Sequence, residues 1–90
     1  MHQCYVEESF ELTFDCYDAR DREKKVDSAT YTVRTADGAI VQGGVMRIGE
    51  DGHSVSFRFD PQTAGMMTVS VQWVMGADRW QERFIINVRA

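Results

Sequence analysis

Residues 66–89 carry the most regular pattern of apolar and polar positions in the chain. Alternate positions from residue 67 onward are apolar, whereas Thr68, Ser70 and Gln72 between them are polar. A second alternation follows the polar segment 76–79, and together the two predict a pair of half-buried strands joined as a hairpin. The apolar positions are Met67, Val69, Val71, Trp73 and Met75 in the first strand and Trp80, Phe84, Ile86 and Val88 in the second.

A four-residue loop at 76–79 would set the two apolar series opposite each other. Because side chains alternate between the faces of a strand, a slip of one residue would turn one series toward solvent. We therefore expect both series to face a shared core. The predicted pairs are Met75 with Trp80, Val71 with Phe84, Val69 with Ile86 and Met67 with Val88.

The N-terminal segment alternates in the same way. Even positions from Cys4 to Cys16 are apolar except for Glu8. This pattern predicts either one long strand or two strands joined by a kink near residues 7–9, which would let the first piece pass to the other sheet.

Two Asp-Gly pairs predict further hairpins, because this dipeptide accommodates the positive φ angles of a tight turn. The first, Asp37-Gly38, is expected to reverse strand 29–35 into 40–42, and the second, Asp51-Gly52, to join strand 45–49 to 53–60. Across the second turn we expect the pairs Ile48–Val55, Met46–Phe57 and Gly44–Phe59.

Seven or eight short strands, with no helical period, make an all-β fold. Gly43-Gly44 interrupts its alternation as a bulge or a crossing between sheets would, and Pro61 ends a strand. Two sheets facing each other would bury the one apolar face that each strand offers. We predict a single immunoglobulin-like β-sandwich domain of antiparallel strands over residues 1–90, with a small barrel as the alternative.

Four segments carry a resemblance to a known class of domain. They are DSATYTV at 27–33, ADGAIV at 36–41, VSFRFDP at 55–61 and TAGMMTVSV at 63–71. In these segments the chain resembles the small immunoglobulin-like domains of bacteriophage and prophage structural proteins and of bacterial surface proteins, over residues 27–89. It departs from their pattern at Met67, where a tyrosine is usual. The resemblance implies a structural or adhesive module without catalysis, and it transfers no functional residue.

Charge and composition exclude several classes of protein. The net charge of −4, with basic and acidic residues mixed, argues against a sequence-independent grip on nucleic acid. No apolar run reaches the length of a signal peptide or a membrane span, so we expect cytoplasmic synthesis, with assembly into a virion as one destination. Cys4 and Cys16 are expected to be free thiols packed in the interior.

Catalytic chemistry has little support in the sequence. His2 lies at the terminus and His53 follows a turn glycine, so both are expected to be solvated side chains. No phosphate-binding loop, nucleophile elbow or metal-ligand spacing occurs. We therefore expect no enzyme activity and no cofactor.

A calcium site is the nearest metal candidate. Asp15, Asp18 and Asp21 could supply oxygen ligands, but basic residues interleave with them and would oppose a divalent cation. We read these aspartates as solvated loop charges and predict no metal.

Two binding surfaces remain as candidates. Met66, Val74 and Ile85 fall on the outward parity of the hairpin and would form a partner surface if contiguous. Trp80 begins its strand and could stack on a sugar together with Tyr17 or Tyr31. The sequence favours a non-enzymatic structural or interaction module, a small phage or prophage virion component that binds a protein partner or itself; the alternative is a carbohydrate-binding or adhesive surface module.

Overall fold

The computed structural model describes residues 2–16 and 24–90. Within them, no helix is long and apolar enough to cross a bilayer. The strands of the described residues are β1 (His2–Tyr5), β2 (Phe10–Asp15), β3 (Ser28–Arg34), β4 (Ile40–Val45), β5 (Arg47–Ile48), β6 (Ser54–Phe59), β7 (Gly65–Met75) and β8 (Asp78–Arg89).

The strands form two sheets, one of five strands in the order β1-β8-β7-β3-β4 and one of three in the order β2-β6-β5. The predicted kink near residues 7–9 is confirmed, because β1 joins the first sheet and β2 the second. Glu7 lies at the kink with φ 71°, and its amide donates to the Pro61 carbonyl at 3.1 Å. The order of the strands is that of an immunoglobulin-like sandwich, so the predicted fold class is confirmed. Among the described strands, β1 and β8 form the one parallel pair, so the prediction that all strands pair antiparallel is wrong at this edge.

The β7–β8 hairpin has the predicted faces but another register. Trp73, not Met75, lies opposite Trp80, and Val69, not Val71, lies opposite Phe84. The predicted four-residue loop is therefore wrong, and the pairing is displaced by two residues, which keeps every side chain on its predicted face. The reason is Gly76, whose φ of 62° allows a two-residue turn with glycine at its first central position.

The predicted cross-strand pairs Val69–Ile86 and Met67–Val88 are wrong by the same displacement of two residues. Met67 lies opposite Ile86, and Gly65 lies opposite Val88. The side chain of Asp27 stabilises the tighter turn, since its carboxylate accepts a hydrogen bond from the Gly76 amide at 2.7 Å.

The Asp37-Gly38 turn reverses the chain as predicted, and the crossing between sheets follows Gly43-Gly44. Gly44 pairs with Tyr31 in the five-stranded sheet, so its predicted pairing with Phe59 is wrong. The chain changes sheets at Met46, which is buried and lies between β4 and β5 rather than in a ladder with Phe57. The side chain of Met46 fills the core while its amide donates to Ala29 at 2.9 Å, which ties the crossing to β3. The predicted pair Ile48–Val55 is confirmed.

The core lies between the two sheets, on the strand faces that the alternation of apolar and polar residues predicts. Phe57 of the smaller sheet stacks on Tyr31 of the larger one, with ring centroids 3.9 Å apart. Trp73 is 6% exposed, and Cys4 and Cys16 are buried free thiols, as predicted.

Candidate binding surfaces

The outer face of the five-stranded sheet is an open surface built by three adjacent strands. Antiparallel pairing sets the outward residues of β3, β7 and β8 side by side. We call this surface the arginine face. Its members are Thr30, Thr32 and Arg34 of β3, Met66, Thr68, Ser70, Gln72 and Val74 of β7, and Arg79, Gln81, Arg83, Ile85, Asn87 and Arg89 of β8.

The arginine face carries charge of one sign. Arg34, Arg79, Arg83 and Arg89 are exposed on it, and none of the strand positions that make up the face holds an Asp or a Glu. The Arg34 guanidinium donates to the Gly38 carbonyl at 3.1 Å, which fixes its position at the edge of the face. In the part of the chain that the structure describes, none of these four side chains forms an ion pair. The arginine face is therefore basic, although the protein as a whole has a net charge of −4.

The structure brings together two of the three residues proposed for the partner surface. Met66 is 38% exposed and Ile85 is 44% exposed; they are diagonal neighbours, because Ile85 pairs with Thr68 and Met66 with Asn87. Val74 is half-buried at the far end of the face opposite Arg79, about 20 Å along β8 from Ile85 at the usual rise per residue. Val74 is thus separate from the apolar pair.

Three arginines surround this apolar pair. Arg83 precedes Ile85 by two positions on the same face of β8, and Arg89 follows by four. Arg34 of β3 lies opposite Thr68 of β7, which in turn lies opposite Ile85 of β8. The sequence pattern showed the outward parity of the β8 arginines, but only the pairing of β3 with β7 reveals that Arg34 joins them.

Trp80 lines a separate cleft on the inner side of the five-stranded sheet. It is half-buried directly opposite Trp73, and the cleft of about 370 Å³ is also lined by Asp15, Gln81 and Glu82. The indole N–H groups of Trp73 and Trp80 are buried, and neither has a hydrogen-bond partner within residues 2–16 and 24–90. Tyr31 lies two strands away, stacked on Phe57, so it does not form a platform with Trp80. Tyr17 lies outside the described residues.

Two carboxylates that line the cleft, those of Asp15 and Glu82, also act on the buried thiol of Cys16. Burial first, and then the nearby carboxylates of Glu82 and Asp15, raise the pKa of this thiol to about 12 from 9.0. The thiol is therefore protonated at neutral pH. Since the thiolate is the reactive form, Cys16 is a core residue rather than a nucleophile.

The other candidates for catalysis or metal binding remain isolated. The Nε2 atom of His53 is buried and has no hydrogen-bond partner among the described residues, so the predicted solvation of this side chain is wrong at that atom. The backbone amide of His53 donates to the Asp51 carboxylate at 2.9 Å. His2 belongs to β1. Asp18 and Asp21 lie outside the described residues, and within residues 2–16 and 24–90 no three or more His, Cys, Asp or Glu side chains are grouped so that they could hold a metal ion.

Comparison with known proteins identifies the fold alone. No family model matches the sequence, and no curated protein matches it. Among solved structures, CopC from Methylosinus trichosporium OB3b superposes with a TM-score of 0.70 and 11% identity, over 98% of this chain and 82% of CopC. Superoxide reductase (neelaredoxin) from Ignicoccus hospitalis gives a TM-score of 0.64 and 9% identity, over 99% of this chain and 76% of the reductase chain.

A third similar structure is much longer than this chain. An engineered protein superposes with a TM-score of 0.78 and 11% identity. The match covers 99% of this chain but 18% of the engineered protein. These proteins have different names, and identities this low show the β-sandwich fold and nothing of function.

Proposed function

We propose that this protein is a non-enzymatic interaction module that binds an acidic protein surface through the arginine face. The observation that carries the proposal is the exposed pair Met66 and Ile85, set among Arg34, Arg83 and Arg89 on a face whose strand positions carry no Asp or Glu. Arginine and methionine are enriched at protein interfaces, and an apolar centre with a charged rim is their usual anatomy.

Electrostatics determines the kind of partner. Guanidinium groups bind carboxylates in a bidentate manner, so Asp and Glu side chains are the chemical match for this face. A partner of that charge is also steered toward the arginine face and away from the acidic remainder of the molecule. Binding should therefore weaken as salt is added, because exposed charges are screened within about 8 Å at physiological ionic strength.

We further propose a setting for this binding, a small component of a phage or prophage virion. The support is the resemblance of residues 27–89 to immunoglobulin-like domains of phage structural proteins. In that setting the acidic partner is a second virion protein.

Charge reversal on one sheet, matched by charge reversal on the other, tests the proposal. The test variant is Arg83→Glu with Arg89→Glu, and the control is Arg47→Glu with Arg58→Glu on the three-stranded sheet, where both arginines are exposed. The wild type is used to recover a partner from the source cells, and that protein is then purified and titrated against all three forms.

The proposal predicts that the test variant binds the purified partner at least about tenfold more weakly, or about 1.4 kcal/mol, while the control binds like the wild type. The wild-type affinity should fall with salt. Equal affinity for the test variant and the wild type would reject the arginine face as the docking surface. Identification of the partner by mass spectrometry decides the setting, since a protein that is not encoded with virion genes would exclude the phage proposal.

A carbohydrate module is the second candidate, and the cleft at Trp80 favours it. A half-buried indole supplies a surface for the C–H groups of a sugar, and the carboxylates of Asp15 and Glu82 would accept from its hydroxyls. Titration of tryptophan fluorescence with a panel of oligosaccharides tests this function, with Trp80→Ala as the control variant. A saturable change that is lost in Trp80→Ala supports it, and no change across the panel excludes it.

A further inference from the structure

Strand β4 forms one edge of the five-stranded sheet, and its outer side has no partner strand among the described residues. The amide of Met46 donates to the Ala29 carbonyl, and Gly44 pairs with Tyr31 on the same parity, so these residues direct their backbone groups toward β3. By alternation, Gly43 and Val45 direct their N–H and C=O groups away from the sheet.

The side chains along this edge are apolar and exposed. Val45 is 82% exposed, Ile40 is 55% exposed and Val41 is 53% exposed, the three highest values for large aliphatic side chains of the described residues. No charged residue occurs between Asp37 and Arg47.

Edge strands are commonly protected by lysine, proline or a bulge. β4 has one such feature, the irregular pairing between Val33 and Arg34, which lies at its start and leaves residues 42–45 regular. An uncharged, exposed strand with unpaired amides is a template for a further strand.

We propose that this strand is a second copy of β4, paired antiparallel about a two-fold axis at Gly43. In a symmetric contact each residue faces its counterpart in reverse order, so Gly43 lies opposite Gly43 and Gln42 lies opposite Gly44 of the other copy. A segment without charge can face itself with no like-charge repulsion, whereas it offers nothing to steer or orient a charged partner. The two five-stranded sheets become one continuous sheet.

This pairing places both arginine faces on the same side of the joined sheet. A two-fold axis perpendicular to a sheet leaves its outer face outward in both copies. The dimer would therefore present two identical basic surfaces to one acidic assembly, and simultaneous binding would raise the overall affinity. The β4 contact itself is independent of what the arginine face binds.

Sedimentation equilibrium of the purified protein tests the proposal. The variant is Val45→Lys, which places a charged side chain on the exposed edge strand β4 beside the second copy, and the matched control is Tyr5→Lys on β1, the opposite edge of the same sheet, where the side chain is 55% exposed. We expect the wild type to show twice the monomer mass of 10.3 kDa at high concentration. Val45→Lys should dimerise at least about tenfold more weakly, and Tyr5→Lys should dimerise like the wild type.

Amide hydrogen exchange identifies the contact. The amides of Gly43 and Val45 should exchange more slowly as the wild-type concentration rises, and they should not do so in Val45→Lys. A wild type that stays monomeric up to about 1 mM, corresponding to a dimer free energy weaker than about 4.1 kcal/mol, would overturn the proposal. A dimer in which these two amides exchange at unchanged rates would overturn it as well, because the contact would lie elsewhere.

Discussion

Replacement of Phe57 tests whether the two sheets are held together where their aromatic side chains meet. Phe57 is 6% exposed. Its ring stacks on Tyr31 at a centroid distance of 3.9 Å and lies parallel to Phe14 at 6.4 Å. The Phe57→Ala variant removes a buried ring that contacts both sheets, and such a change costs about 4 kcal/mol, from lost burial and the cavity left behind.

That cost is large for a domain of this size. At the usual stability per residue, 90 residues give a free energy of unfolding of about 5 to 13 kcal/mol. With a denaturant slope of about 1 to 2 kcal/mol per molar urea, the unfolding midpoint of Phe57→Ala should fall by about 2 to 4 M. Urea titration followed by circular dichroism and tryptophan fluorescence measures this shift.

A control and a graded variant complete the test. Tyr5→Ala removes an aromatic side chain that is 55% exposed and should change stability by about 0.5 kcal/mol or less. Phe57→Leu keeps most of the apolar volume, so its loss of stability should lie between those of Phe57→Ala and Tyr5→Ala. A Phe57→Ala protein as stable as Tyr5→Ala would refute the packing of the two sheets at this point.

Three further predictions concern Cys16, Gly76 and Glu7. Burial, Glu82 and Asp15 raise the pKa of Cys16 to about 12, so the folded thiol stays protonated at pH values where the unfolded thiol ionises, and the protein loses stability between pH 9 and about 12. Urea titrations over this pH range should show a smaller loss of stability for Cys16→Ala than for the wild type. Identical pH profiles of stability for the two proteins would contradict this. Gly76→Ala forces a side chain onto φ 62° and should cost about 1 to 2 kcal/mol by thermal unfolding; an unchanged midpoint would reject the tight turn. Glu7 occupies φ 71°, so Glu7→Gly should stabilise the protein by up to about 1 kcal/mol, and a lower midpoint would argue against strain at the kink.

Parity was readable from the sequence because a period of two is a local property of each strand. The inward series of β7 and β8, and the switch of sheet after β1, both follow from which residues alternate and where Glu8 interrupts them. A register also depends on turn length. The polar residues Asp78 and Arg79 resembled loop, but they continue β8 because Gly76 alone supplies the positive φ angle that the reversal needs.

Long-range neighbours could not be read in the same way. The joining of Arg34 to the β8 arginines depends on β3 lying next to β7, and local alternation does not specify that order. The same limit applied to the candidate sites. Val74 and Ile85 share a parity, yet the shared parity says nothing of their separation along the hairpin.

The central claim is that the arginine face is the functional surface, and backbone chemical shifts test it most directly. In an ¹H–¹⁵N titration with the purified partner, we predict shift changes for the amides of Met66, Thr68, Arg83 and Ile85, and no change in β2, β5 and β6. Changes confined to the three-stranded sheet, or to Trp73 and Trp80, would contradict the account.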